Sequence, residues 1–145
     1  MINSIIEAIS IALNKEFGDG YEIHMEEIRQ DLKEPCFFVQ CVNPTIELFL
    51  GKRYFRSNQF CIQYFPKTDE LQRECAGVAE RMIWCLEYIT VDGDDRPIRG
   101  TKMEYEVVDG VLNFFVNYDY FVDKVTTPET PMEDLETNTS LKEGD

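Results

Sequence analysis

Six side chains in this sequence have the chemistry of a nucleophile, a base or a soft-metal ligand: the thiols Cys36, Cys41, Cys61, Cys75 and Cys85, and the imidazole of His24. A cysteine and a histidine in contact can act as nucleophile and base, and a cluster of such groups can hold zinc. Their spacing argues against both. No two cysteines form a C-x-x-C pair, their number is odd, and there is one histidine. Each cysteine lies among apolar residues, where a free thiol behaves as a small hydrophobe. Buried thiols and a surface or interface histidine are therefore expected. Asp92, Asp94 and Asp95 around Gly93 suggest a calcium loop, but Arg96, Pro97, Ile98 and Arg99 stand where further ligands belong. A solvated acidic turn is the better account. Gly18-x-Gly20 lacks the third spaced glycine of a dinucleotide loop and reads as a helix stop. With no phosphate loop, nucleophile elbow or metalloprotease helix, no catalytic residue, cofactor or metal site is expected, and the chain is not read as an enzyme.

Composition bounds the remaining possibilities. The 145 residues suit one domain with a real core. Hydrophobic residues make up 43% and aromatics 12%, so the chain as a whole can fold. No apolar run approaches the roughly 20 residues of a membrane span, and no membrane contact is expected. Met1-Ile2-Asn3-Ser4 has no basic region and Glu7 interrupts the apolar stretch, so a cytoplasmic location is expected. Acidic residues outnumber basic ones 28 to 14, a net charge of −14. That balance opposes binding to nucleic acid through its phosphates.

The elements that would position any site follow from periodicity. Ile2, Ile5, Ile6, Ile9, Leu13 and Phe17 recur at helical spacing up to Gly18. Tyr21 to Ile28 alternates as a first strand. Pro35 then opens Cys36–Val42, a strand expected to end at Asn43-Pro44 because proline lacks a ladder donor. Thr45–Arg56 is a further strand-like segment, joined through Ser57-Asn58 to a strand at Gln59–Phe65. Thr68 or Asp69 can cap a second helix, in which Leu71, Cys75, Val78, Met82, Leu86 and Ile89 form one stripe over about five turns. Asp109-Gly110 suits a two-residue turn that pairs Val107 with Leu112, Tyr105 with Phe114 and Met103 with Val116. From 123 to 145 the composition turns to Thr, Pro, Glu, Asp and Ser, and a flexible acidic tail is expected after a single domain at 1–122. The order predicts an α+β fold, a largely antiparallel β-sheet with two helices packed on one face.

One segment asks for more than folding. Leu48-Phe49-Leu50-Gly51-Lys52-Arg53-Tyr54-Phe55-Arg56 sets three cations among five large apolar residues on a strongly acidic chain. Arginine with tyrosine and phenylalanine is the composition of binding hot spots, and Lys52, Arg53, Tyr54, Phe55 and Arg56 are the protein-interface candidates. An edge strand blunted by charge against aggregation is the competing reading.

The same residues carry a family likeness. Asn43-Pro44-Thr45-x-Glu47-Leu48-Phe49-Leu50-Gly51-Lys52-Arg53-Tyr54-Phe55-Arg56, then Phe60-x-Ile62-x-Tyr64-Phe65-Pro66, resembles the tail terminator family of phages and prophages of Gram-positive bacteria. The Ile-rich first helix, Leu86-Glu87-Tyr88-Ile89, Arg99-Gly100-Thr101-Lys102-Met103 and the stretch from Val107 to Tyr118 also fit. The likeness covers roughly residues 1–122; the acidic tail departs from it. It implies a structural tail protein that caps the tail tube as a hexameric ring, ends polymerisation and offers a docking surface to the head. Implied partners are further copies of the chain, the tail tube protein, the head connector protein and, in a contractile tail, the sheath protein. DNA would meet it only in passage through the lumen. The resemblance implies assembly in the host cytoplasm, then residence in a virion or tail-like particle. Another small tail or head-completion component, or a small-ligand-binding α+β domain, are the alternative readings.

Overall fold

A computed structural model describes residues 1–25, 33–91 and 97–124. Along the chain run α1 (Ile2–Phe17), β1 (Glu22–His24), β2 (Cys36–Leu50), β3 (Arg53–Phe65), α2 (Leu71–Cys85), β4 (Tyr88–Thr90), β5 (Pro97–Val108) and β6 (Val111–Asp123). The strands form one six-stranded sheet in the order β1-β2-β3-β6-β5-β4. This is an α+β architecture, and its sheet is mixed. β4 and β6 both run antiparallel to β5, whereas β1 runs parallel to β2 with Glu22 opposite Cys36 and His24 opposite Phe38. Beside the expected largely antiparallel sheet, β1 is the departure; alternation along a strand carries no information about its direction. Among the described residues no helix is long and apolar enough to cross a membrane.

The chain divides into two compact units, Met1–Pro44 with Asn58–Asp119, and Thr45–Ser57 with the segment from Tyr120 onward. In the first, α1 packs on α2 and β4, and α2 packs on β5. The stripe read for α1 is the buried one: Ile5, Ile9, Leu13 and Phe17 are all but inaccessible. Gly18 ends the helix at φ +89°, a conformation that favours glycine. Phe37 lies between Phe17 and Tyr64, with ring centroids 5.1 and 5.0 Å away. Full burial of such a side chain is worth roughly 1.5–3 kcal/mol.

Three expected boundaries fall elsewhere. β2 continues through Asn43-Pro44 to Leu50. β1 pairs only with Cys36–Phe38, so among the described residues Pro44 lies where one side of β2 has no neighbour, and an edge needs no N–H donor there. The extended conformation that proline imposes on Asn43 then continues the strand. The second break, at Ser57-Asn58, is also absent. Asn58 is buried inside β3, its side-chain amide donating to the Tyr118 carbonyl at 3.1 Å and its backbone N–H to Asp119 Oδ1 at 3.3 Å. The chain instead reverses at Gly51 (φ +61°) and Lys52.

The third boundary is the end of α2, which stops at Cys85 rather than running on to Ile89. Leu86 and Ile89 are buried as expected, but Ile89 belongs to β4. Tyr118 Oη donates to the Leu86 carbonyl at 2.6 Å and the Gly100 amide to the Glu87 carbonyl at 2.7 Å. A Cβ at residue 100 would stand 2.7 Å from the Leu86 oxygen, so only glycine permits this approach. At the other end of α2 neither Thr68 nor Asp69 caps; Glu70 takes the cap position without a side-chain bond. Glu74 reaches back instead, accepting from the amides of Lys67 (3.0 Å) and Thr68 (2.9 Å), from Thr68 Oγ1 and from Tyr64 Oη.

The hairpin about Asp109-Gly110 has the expected turn, with φ +53° and +77°, and pairs Val107 with Leu112 and Tyr105 with Phe114. The expected pair Met103–Val116 is replaced by a bulge. Register slips between Glu104↔Phe115 and Thr101↔Asn117, and Lys102 takes φ +53°. The first strand beyond Met25, the acidic turn Asp92-Asp94-Asp95 and the tail beyond Lys124 lie outside the described residues.

Candidate assembly surface

The five interface candidates all lie in the second unit, on the hairpin formed by the ends of β2 and β3 and beside the end of β6. Lys52 sits in the turn, exposed, and its carbonyl accepts from the Lys124 amide at 2.6 Å. Thr45 Oγ1 donates to the Ser57 carbonyl at 2.9 Å across the base of the hairpin. β3 lies between β2 and β6 in the sheet. Arg53 and Arg56 are therefore not on an edge strand, whereas Leu48–Leu50 belong to β2, which β1 flanks only at Cys36–Phe38 among the described residues.

Strand alternation divides the candidates between two faces. On one face Phe121 is the hub: Phe49 and Phe55 each approach it at 5.0 Å between centroids, and the Arg53 guanidinium lies 4.8 Å above it. On the other face Arg56 lies 5.9 Å over Tyr120, and Tyr54 is half-buried. Arg53 and Arg56 are thus each held by an aromatic ring of the same unit, with a cation–π contribution of roughly 0.5–1 kcal/mol apiece.

What the surface presents outward is chiefly apolar. By alternation Ile46, Leu48 and Leu50 lie opposite Phe49, and they are 56%, 62% and 74% exposed. Isolated exposed aliphatics are ordinary, but three at successive outward positions of one strand form an exposed apolar row. The unit's described part holds Lys52, Arg53, Arg56 and Lys124 against Glu47 and Asp123, a net +2 on a chain of net −14. Sequence reasoning singled out Leu48 to Arg56 but missed Ile46, Tyr120 and Phe121. The continued alternation of Tyr118-Asp119-Tyr120-Phe121 was the available signal for the last two.

The groups that suggested chemistry sit differently. All five cysteines are free. Burial pushes the Cys61 thiol up to about 11, with Glu106 adding to it, and the Cys85 thiol up to about 12. Such thiols stay protonated near neutrality, which suits packing and not nucleophilic attack. His24 Nε2 lies 3.3 Å from Glu22 Oε1 on the same short strand. Among the described residues no three His, Cys, Asp or Glu side chains converge as metal ligands.

A family model described as phage tail terminator protein matches residues 4–130, which takes in both units. No curated protein matches the chain.

Proposed function

Because the chain belongs to the phage tail terminator family, we propose that it caps the tail tube as a hexameric ring, ends polymerisation there and gives the head connector its docking surface. A structural role in the tail follows from the family itself. The finer reading rests on one observation, the second unit with its exposed Ile46–Leu48–Leu50 row and its four cations. A ring needs a surface of this kind on every subunit, able to bind a different surface on the next copy so that rotation closes the assembly. Lys52, Arg53, Tyr54, Phe55 and Arg56 then serve that surface in two ways. Phe55 and Arg53 brace Phe121, while exposed Lys52 supplies charge.

In a contractile particle the ring would also meet the sheath. Both helices would cover one face of the sheet, and the acidic balance of the chain would line a lumen through which DNA slides without sticking. Assembly would take place in the host cytoplasm, with the 123–145 segment as an acidic appendage to the 1–122 domain. Deleting the gene and imaging the particles tests the proposal. A terminator's loss should leave abnormally long or headless tails, whereas absence of tails altogether would assign the chain to the tube. A strongly basic lumen in the assembled ring would overturn the DNA-passage element.

A further inference from the structure

The unassigned surface of the first unit offers what the second unit lacks. Between α1 and β4 lies an open cleft of about 470 Å3 whose lining includes Ile11, Ala12, Cys85 and Tyr88. Ile11 is 65% exposed and Tyr88 54%, and Trp84, one residue before Cys85, is 71% exposed. A tryptophan and a tyrosine so exposed on neighbouring elements are the residue types that dominate interface energetics. Carboxylates accompany them: Glu7 is one turn before Ile11, Glu80 one turn before Trp84, and Glu87 adjoins Tyr88. The cations there are Lys15, on the cleft, and Arg81, which is spent on Glu16 at 2.9 Å and on the Phe17 ring.

We infer that the Ile46–Leu48–Leu50 row of one copy seats in the cleft lined by Ile11, Cys85 and Tyr88 of a second copy, with the exposed Trp84 beside it. This names the partner surface within the ring reading above and rests on it. Three features select a second copy as the occupant. The two patches are unlike, one aliphatic and cationic, the other aromatic and acidic, so each complements the other and neither complements itself. Two unlike patches on one chain are what a heterologous, closing interface requires, whereas an isologous dimer uses one patch twice. The row also has reach: outward residues 46, 48 and 50 span roughly 13 Å at about 3.3 Å per residue, and the cleft draws its lining from several elements, α1, the end of α2 and β4. The charge of Lys52, in the turn that follows Leu50, then falls against the carboxylates of the receiving copy, which raises the encounter rate and sets the direction of docking.

The test uses the full chain with a photo-crosslinking amino acid at position 48, in an equal mixture of isotopically heavy and light protein. The expected product is a heavy–light crosslink from residue 48 to peptides containing Ile11, Trp84 or Tyr88. In parallel, Leu48→Asp with Leu50→Asp, and separately Trp84→Asp, should each weaken self-association by more than tenfold in sedimentation. Leu48→Ser with Leu50→Ser is the milder pair if the aspartates unfold the chain. A crosslink from 48 to 48, to the tube protein, or to any other face of the second copy would overturn the inference while leaving the ring intact. Undiminished assembly of the variants would do the same. A wild-type chain that stays monomeric both alone and on purified tubes would instead overturn the ring reading.

Discussion

Replacing Phe121 with alanine should loosen the second unit while leaving the first intact. Phe121 is 44% exposed, so about half of its side chain is buried; on a scale of roughly 1.5–3 kcal/mol for full burial, that portion contributes about 1 kcal/mol. It also makes two ring pairs, with Phe49 and Phe55 at 5.0 Å, each worth roughly 0.5–1.5 kcal/mol. Arg53 adds roughly 0.5–1 kcal/mol. These contributions share atoms and do not add in full, so a loss of about 2 kcal/mol is expected. That is about a 30-fold rise in the opening equilibrium of the hairpin. Hydrogen exchange by mass spectrometry reads it directly, on peptides covering 45–57 and 120–124 against peptides from α1 and α2. Phe121→Leu keeps most of the buried area and loses the ring contacts, so it should cost about half as much. Unchanged protection of 53–56 in Phe121→Ala would refute the hub. Equal loss of protection in α1 would refute its confinement to the second unit.

Three further outcomes follow from the first unit. Gly100→Ala places a Cβ 2.7 Å from the Leu86 oxygen and 2.9 Å from Val116 Cγ2; overpacking of this kind should cost about 2 kcal/mol, read as a fall of about 5 °C in Tm. At Glu74 burial raises the carboxyl pKa, but hydrogen bonds from Thr68, Tyr64 and the Lys67 and Thr68 amides outweigh it and hold the group below its ordinary value. A depressed folded pKa means stability that is present above the unfolded pKa and lost as pH falls through the folded one. Glu74→Gln should therefore destabilise most near pH 7 and converge with wild type in acid, as followed by urea midpoints; a constant gap down to pH 2 would contradict this. Finally, Cys61, buried and pushed up to about 11, should react with a disulfide reagent at pH 8 only as fast as the protein opens. Prompt labelling of Cys61 in the folded chain would show that it is not held as described.

The interface candidates show where sequence reasoning reached its limit. Lys52 to Arg56 stood out by composition alone, since cations amid aromatics on an acidic chain need no structure to be noticed. Composition could not say that Arg53 and Arg56 would face opposite ways onto Phe121 and Tyr120, residues more than sixty positions away. The exposed row at 46, 48 and 50 was equally hidden, because an alternating apolar pattern predicts a buried face as readily as an open one.

Taken alone, the sequence determined what local chemistry decides. It placed α1 and its stop at Gly18, the body of α2, and the turn at Asp109-Gly110 with the first pairs of its hairpin, because helical period, backbone freedom and positive φ act over a few residues. The composition also anticipated buried thiols, which holds for Cys36, Cys61 and Cys75, whereas Cys41 and Cys85 are half-buried. Tertiary structure decided the rest. Pro44 stays within β2 because that strand lacks a neighbour there among the described residues. Tyr88–Thr90 leaves the helix because β5 offers a pairing partner and Gly100 lets it come close. Met103 loses its place opposite Val116 to a bulge, and the cations between Lys52 and Arg56 are parted between two faces. In each case the deciding energy comes from a partner distant in sequence, and a chain read in order does not show which partners will meet.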